Sequence, residues 1–387
     1  MDLQHGSGQR TVIVDSERSE CIRAIQNAYP RRAVQEFGEQ GYCSYTLLVF
    51  PHELLPLPQE AHDAEFSPDE RLVNNFSREP LIVQIRPTQH ALDLNIAHAA
   101  NKLYPSLAPA VRSLDLDLSG NMCAYEMERL RGVPLSRLLP RGRAVHTSLH
   151  TKQRKLIQSF AAFIAQGYHS RSQVQSRSRN HRADSPMENS SKMLSQCTGR
   201  VGSGIIQRLE KLALDLPDAW LRQKARHVSA YVATVDDFPV VLNHGDLIPS
   251  NILVDENTWE MTGLVDWAEA EYLPFGTCLY GLELLLGYMT PTSKPPFRPG
   301  NHSLVEDTRP SFTYYENASW LRELFWTSVH YSVPDLEGRQ EEMLTMRDIG
   351  VLLWYGYAWD DGEISRVINE TDDLEELACL RAFLNAS

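Results

Sequence analysis

Residues 243–267 read NHGDLIPSNILVDENTWEMTGLVDW, and this stretch decides the reading of the chain. It places Asn251 five residues after Asp246 and a second aspartate, Asp266, twenty residues after the first. Two short apolar runs, Ile252–Val254 and Thr262–Val265, flank a turn near Asp255–Asn257, so a hairpin is expected to carry Asp266 back to the loop that holds Asp246 and Asn251. Transfer of a phosphoryl group to a hydroxyl needs one carboxylate to accept the proton, and an amide oxygen with a further carboxylate to hold Mg²⁺ on the nucleotide phosphates. Asp246 is the candidate general base. Asn251 is a candidate Mg²⁺ ligand that also belongs to the catalytic loop, and Asp266 is the main candidate metal ligand. His244 reads as a brace of that loop, with Gly245 allowing a tight backbone. Each has a plainer alternative. Asp246 suits a turn cap, Asn251 a turn position after Pro249-Ser250, and Asp266 a buried helix cap. The joint spacing favours chemistry.

Around this centre the chain is expected to hold two domains. Residues 1–16 are mostly polar. Glu17–Tyr29 has helical spacing and is stopped by Pro30, and strand-like sequence follows from Ala33 to Phe50 with Gly41 inside it. Leu81–Arg86 is a further strand closed by Pro87. A helix is expected from His90 to Tyr104 and a strand from Cys123 to Leu130. After Leu135 the pattern turns helical, with Leu156, Ile157, Phe160, Phe163 and Ile164 on one face of a helix over 152–168. Residues 171–200 are rich in Ser, Arg and Asn and are expected to form a flexible surface insertion. Helices are then expected over 205–234 with a break at Leu216-Pro217, and over 280–288, 314–329, 347–357 and 373–385.

The 387 residues carry a formal charge of −13, which repels nucleic acid and anionic membrane surfaces, so neither is expected as a partner. Six scattered cysteines without a CxxC pair read as reduced thiols, and the polar N-terminus has no secretory pattern, so a cytoplasmic location is expected. No apolar run is long enough to span a bilayer. The chain lacks the GxxxxGK[ST] loop, the GxSxG elbow and the HExxH pair.

HGDLIPSN followed by GLVDW resembles the catalytic loop and metal motif of the aminoglycoside phosphotransferase and choline kinase family, which shares the protein-kinase-like fold. The tail segments Leu353–Gly356 and Ala358–Asp360 resemble a branch common in filamentous fungi. The resemblance implies an α+β, bilobal fold: a β-rich N-terminal nucleotide-binding lobe over 1–131 and a mainly helical C-terminal lobe over 132–387 with the catalytic loop and substrate site. It implies ATP and Mg²⁺ as cofactors and a small-molecule hydroxyl as acceptor. Gly41 and Ser44 would belong to a phosphate-covering hairpin, although a plain β-turn fits as well. Glu126 to Glu128 would form a hinge whose backbone bonds the adenine.

One departure stands out. Kinase-like enzymes place a lysine on the third strand, where this chain reads Val83-Gln84-Ile85-Arg86. Gln84 and Arg86 alternate by two and share a face, so Arg86 is expected to meet the phosphates, its alternative being an arginine at a strand end. Asp93 is the helix acid expected to pair with Arg86, an exposed helix-start aspartate being the alternative. Among the acids and aromatics after the motif, Glu269 and Asp360 are the candidate substrate contacts. Three functions fit this sequence. The first is a Mg²⁺/ATP-dependent small-molecule kinase. The second is a biosynthetic enzyme that uses phosphorylation to drive dehydration or cyclisation. The third is a kinase-like nucleotide-binding protein with little activity.

Overall fold

The computed structural model describes residues 15–41, 43–51, 79–170, 191–290, 309–360 and 363–386. Tyr42, Asp361, the N-terminal polar segment and most of the expected insertion lie outside the described residues. The chain divides into two compact units between Arg131 and Gly132.

In the first unit, helix α1 (Asp15–Ala28) precedes strands β1 (Arg32–Glu36), β2 (Tyr45–Pro51) and β3 (Leu81–Pro87), then α2 (Leu94–Leu103), β4 (Val111–Leu114) and β5 (Met122–Glu128). The strands form one antiparallel sheet in the order β1-β2-β3-β5-β4. Period-2 alternation sends Tyr45, Leu47, Val49, Val83, Ile85 and Ala124 to one face, where Cys21 and Ile25 of α1 close the core. Thr46, Gln84 and Tyr125 are register partners across the opposite face. Strand β4 was not expected, since Val-Arg-Ser-Leu is a four-residue edge strand half open to solvent. The helix expected from His90 begins at Leu94, because Asp93 is its N-cap, with a 3-10 turn over Thr88–His90 before it.

The second unit opens with β6 (Val133–Pro134) and the long helix α3 (Thr147–His169). It continues with α4 (Gly199–Gly202), α5 (Ile205–Asp215), α6 (Ala219–Thr234), β7 (Val240–Asn243), β8 (Ile252–Val254), β9 (Met261–Leu264), β10 (Glu271–Pro274) and α7 (Tyr280–Leu285). It closes with β11 (Gly287–Thr290), β12 (Ser311–Tyr314), α8 (Ala318–Ser332), α9 (Gln340–Tyr355) and α10 (Leu374–Asn385). Helices α3 and α8 pack through Phe160 and Phe325, whose rings lie 5.9 Å apart.

Two expectations are corrected here. The helix expected over 280–288 stops at Leu285, and residues 287–290 pair with 311–314 as a β-ribbon. A side chain at Gly287 would meet the Thr313 carbonyl at 2.5 Å, so only glycine lets the two strands close. The last ten residues of the expected flexible insertion are built into the fold. Met193 is fully buried, Ser191 donates to the Val235 carbonyl, and the Lys192 amide donates to Asp236 at 3.1 Å. With so few apolar residues in the segment, those anchors leave no periodic signal.

Glu283 on α7 is 1% exposed and accepts from Arg322 at 2.7 Å, Arg347 at 3.1 Å and the Tyr314 hydroxyl at 2.9 Å. Arg347 also pairs with Asp348 at 2.7 Å, and Asp348 with Lys224 at 2.7 Å. This ladder of charges ties four helices, α6 to α9, together. No helix among the described residues is long and apolar enough to cross a membrane.

Candidate active site

The motif stretch forms two loops held side by side. The first, 244–251, leaves β7 and enters β8, and the second, 265–270, leaves β9 and enters β10. Strand β7 pairs with β10, and β8 pairs with β9, so each loop is clamped at both ends by an antiparallel ladder. The Val265 amide donates to the Asn251 carbonyl at 3.0 Å, joining the loops directly. Gly245 has φ +81°, and a β-carbon there would lie 2.0 Å from the Glu269 carbonyl oxygen. Glycine at this position lets the second loop lie against the first.

His244 is fully buried and spans the two loops. Its Nε2–H donates to the Val265 carbonyl at 2.9 Å, and its Nδ1 accepts from the Asp246 amide at 3.3 Å. The Nδ1 bond needs the neutral ring, and burial lowers the pKa from 6.5 to about 4, against an opposing pull from the Asp266 charge and the Val265 bond. The ring stacks at a tilt on Trp267, 4.5 Å between centroids. Trp267 is itself buried and donates to the Leu264 carbonyl at 2.9 Å, so it packs the site instead of facing solvent. The unfolded chain binds a proton at His244 near 6.5 and the folded chain only near 4. The stability this ring contributes is therefore complete above about 6.5 and is lost as pH falls toward about 4. Denaturant unfolding is expected to show the wild type more stable than His244→Gln at pH 7, with the gap narrowing at pH 5. A gap that widens on acidification contradicts the neutral tautomer.

Asp246, Asn251 and Asp266 are brought together. Asn251 Nδ2 donates to the Asp246 carboxylate at 2.7 Å and to the Asp246 carbonyl at 3.0 Å, which orients its Oδ1 away from both. Asp266 has φ +61°, a left-handed conformation that aspartate tolerates better than most residues and that turns the chain sharply after β9. Side-chain oxygens of Asp246, Asp266 and Glu269 all lie within 4.8 Å of one another. Burial, then the Asp266 and Glu269 charges, push the Asp246 carboxyl well above its usual range, with the Asn251 bond opposing. Three carboxylates and an amide oxygen are the hard donors that Mg²⁺ takes.

Glu269, expected at the substrate, thus lies in the carboxylate cluster. Asp360 is corrected more firmly: its two oxygens bind Arg366 at 2.8 and 2.9 Å, which accounts for its carboxylate without a substrate. Glu271 is buried against the amides of Arg200, Val201 and Gly202 and anchors the 197–204 segment to β10. The sequence reading missed Asn243, 2% exposed. Its side chain donates to the Val241 and Leu273 carbonyls at 3.0 and 3.2 Å and accepts from the Cys278 amide at 3.1 Å. A polar residue closing the apolar run Val240–Leu242 was the available signal.

In the first unit, Arg86 is buried on the sheet face away from α1, and its Nε donates to Gln84 Oε1 at 2.8 Å. Gln84 Nε2 in turn donates to Ser44 Oγ at 3.1 Å. The β1–β2 connection with Gly41 and Ser44 is braced by Gln40, which donates to the Phe37 and Thr46 carbonyls and accepts from the Thr46 amide at 2.8 Å. A β-carbon on Gly41 would lie 2.6 Å from Ser44 Oγ.

Asp93 is not placed as the partner of Arg86. Its carboxylate accepts from the Asn95 and Ile96 amides at 2.9 and 3.3 Å, the role of a helix cap. The hinge expectation also changes. Strand β5 has β3 on one side and β4 on the other, and the Glu128 amide donates to the Ala110 carbonyl, so the backbone of Glu126 to Glu128 is engaged in the sheet. The Glu126 side chain binds Arg112 at 2.7 Å and the Tyr29 hydroxyl. Burial alone would raise its carboxyl, but those two bonds outweigh it and hold it below the ordinary value. The first residues of this segment beyond the strand are Arg129–Arg131.

Comparison with known proteins bears on this geometry. The model of the phosphotransferase enzyme family matches residues 59–277, more than half of the chain. No curated protein sequence matches closely enough to count as a relative. Among solved structures, an aminoglycoside 2'-phosphotransferase determined with GDP is 14% identical, with 95% of this chain and 97% of that chain covered and a TM-score of 0.51. A macrolide 2'-phosphotransferase from Brachybacterium faecium is 16% identical, with 95% and 99% covered and a TM-score of 0.47. A choline kinase from Streptococcus pneumoniae is 10% identical, with 95% and 99% covered and a TM-score of 0.43. The first likeness shows the protein-kinase-like α+β fold.

Proposed function

The chain belongs to the phosphotransferase enzyme family, and from that premise we propose that it moves the γ-phosphoryl group of ATP to a hydroxyl of a small molecule, with Mg²⁺ as cofactor and Asp246 as base. The observation that carries this reading is the convergence of Asp246, Asn251 and Asp266 on two clamped loops, with oxygens of Asp246, Asp266 and Glu269 within 4.8 Å. The donor set suits Mg²⁺, which would be held by Asp266 and the Asn251 Oδ1 and would neutralise charge on the phosphates.

Asp246 orients the acceptor hydroxyl and takes its proton. The acceptor oxygen bonds to the γ-phosphorus, the bond to the β–γ bridging oxygen breaks, and the electron pair leaves on ADP. Asn251 keeps the Asp246 carboxylate aimed through its 2.7 Å bond. His244 stays neutral and outside the proton transfer, holding the two loops in register. Arg86, held by Gln84 in place of the usual lysine, is assigned to the phosphates, where its planar fork suits two oxygens. Gly41 and Ser44 are assigned to the hairpin over the phosphates. The transition state is loose, so most of the acceleration comes from positioning and charge stabilisation.

Repulsion among three neighbouring carboxylates is a standing cost that a cation relieves. A binding-only protein has no need of it, which favours catalysis over nucleotide capture alone. Thermal unfolding of the full chain is expected to shift upward with Mg²⁺ and ATP together. At a ligand concentration of about 100 times Kd the gain is about 2.7 kcal/mol. Asp266→Ala is expected to abolish the Mg²⁺-dependent part of that shift. An equal shift in the variant contradicts the metal assignment.

A further inference from the structure

We propose that Tyr280 is a positioning residue for Asp246, a role that rests on the reading of Asp246 as the base. The catalytic loop is pinned on both sides of Asp246 by one short segment, residues 277–281. On the near side, the Cys278 amide donates to the Asn243 side chain at 3.1 Å. On the far side, the Leu247 amide donates to the Tyr280 hydroxyl at 2.9 Å. His244, Gly245 and Asp246 are strung between these two anchors.

Three further observations make the second anchor rigid. Leu247 is fully buried, so its amide has no water to turn to if the phenol is removed. A β-carbon on Gly281 would lie 2.9 Å from the Leu247 carbonyl oxygen and equally close to its side chain, so Gly281 lets helix α7 sit directly on the loop. The Tyr280 ring is 3% exposed, stacked on Trp354 at 5.2 Å with an 8° tilt and set edge-on to Tyr355. Those two aromatics belong to α9. The same helix backs the segment at Gly350, where a β-carbon would lie 1.7 Å from the Thr277 carbonyl oxygen. Helix α9 therefore acts as a fixed wall, and the phenol transmits that wall to the residue next to the base. The hydroxyl spends only its acceptor capacity on Leu247 and keeps its own proton. Burial, then the Asp246 charge, holds the phenol neutral.

The sequence signal for this role was present but ambiguous. Tyr280-Gly281-Leu282-Glu283 reads as the start of an apolar helix, and nothing in its spacing marks a hydroxyl aimed at a loop 33 residues earlier.

Tyr280→Phe tests the proposal, because it keeps the stacked ring and deletes only the oxygen. With Mg²⁺ and ATP, transfer to an acceptor or to water is expected to show kcat lowered about tenfold, the scale of one net hydrogen bond. The KM for ATP and the Mg²⁺-dependent thermal shift are expected to stay within about twofold of wild type, on the reasoning that uniform binding is untouched. Amide hydrogen exchange at Leu247 is expected to be slow in the wild type and clearly faster in the variant. An unchanged kcat, or a Leu247 amide that exchanges equally in both proteins, overturns the proposal. So does a fall in kcat matched by an equal loss of ATP binding. A wild type that transfers no phosphoryl group to any acceptor or to water contradicts the phosphotransfer reading instead, and the exchange measurement still reports whether Tyr280 anchors the loop.

Discussion

Asp246→Asn is expected to lower kcat by about 10²- to 10⁴-fold, the range a positioned general base supplies. Asparagine keeps the size of the side chain and an oxygen for the Asn251 amide, which donates to Asp246 at 2.7 Å in the wild type. What it loses is the ability to take a proton and one of three crowded charges. The melting temperature gives the control. Burial and the Asp266 and Glu269 charges raise the Asp246 pKa in the folded protein. The folded state therefore holds a proton more tightly than the unfolded one. Stability falls as pH rises from the unfolded value toward the folded one. Whether burial is met by ionisation or by holding the proton, the carboxyl is a cost at pH above the unfolded value, so ligand-free Asp246→Asn is expected to melt no lower than wild type. Lost turnover with undiminished stability separates a chemical role from a structural one. A variant that melts lower and keeps its kcat assigns Asp246 to the turn instead.

Glu283→Ala is expected to destabilise the helical unit by about 3–5 kcal/mol, the cost of leaving buried charges without their partner. Arg347 and Arg322 lose the carboxylate they share, and Tyr314 loses its 2.9 Å acceptor and keeps only the Ala382 carbonyl at 3.5 Å. Arg347 retains Asp348 and the Ala386 carbonyl, whereas Arg322 keeps no carboxylate at the 2.7 Å contact it loses. For a unit of this size the melting midpoint is expected to drop by about 10 °C. Because Glu283 lies on α7 with Tyr280, loosening of that helix is also expected to reduce turnover. Glu283→Gln keeps the shape and one acceptor oxygen and is expected to fall between the two. Equal midpoints for wild type and Glu283→Ala contradict the buried network.

Much of the site was legible because it is local in the sequence. Asp246 and Asn251 share one loop, and Asp266 returns through a hairpin whose length the spacing sets. His244 as a brace was legible for the same reason, since its partners Val265 and Asp246 are both inside the stretch. What escaped the sequence depends on contacts it does not order. Glu269 and Asp360 look alike as exposed acids. One is turned into the carboxylate cluster after Asp266 adopts its left-handed backbone, and the other is captured by Arg366, six residues on. Asp93 looks like a counter-ion until the amides of its own helix claim it.

The fold shows the same division. Strands β2 and β3 were legible from Tyr45-Leu47-Val49 and Val83-Ile85, which alternate strictly because α1 covers one face. Strand β4 was not, because an edge strand with two exposed residues of four has no face to mark. Its presence also removes the Glu126–Glu128 backbone from the hinge role, since β5 becomes an interior strand. The ribbon at 287–290 was read as helix because its apolar residues continue those of α7 without a break, and only Gly287 marks the change.

The most direct test is to incubate the full chain with ATP, Mg²⁺ and a panel of small hydroxyl compounds, and to read the products by mass spectrometry. The expected result is a stable product that has gained one phosphoryl group, formed by the wild type with Mg²⁺ and absent without Mg²⁺ or with Asp246→Asn. A product that has lost water and retains no phosphate, or ATP that is bound and never cleaved, contradicts phosphoryl transfer to a small-molecule hydroxyl as the function of this chain.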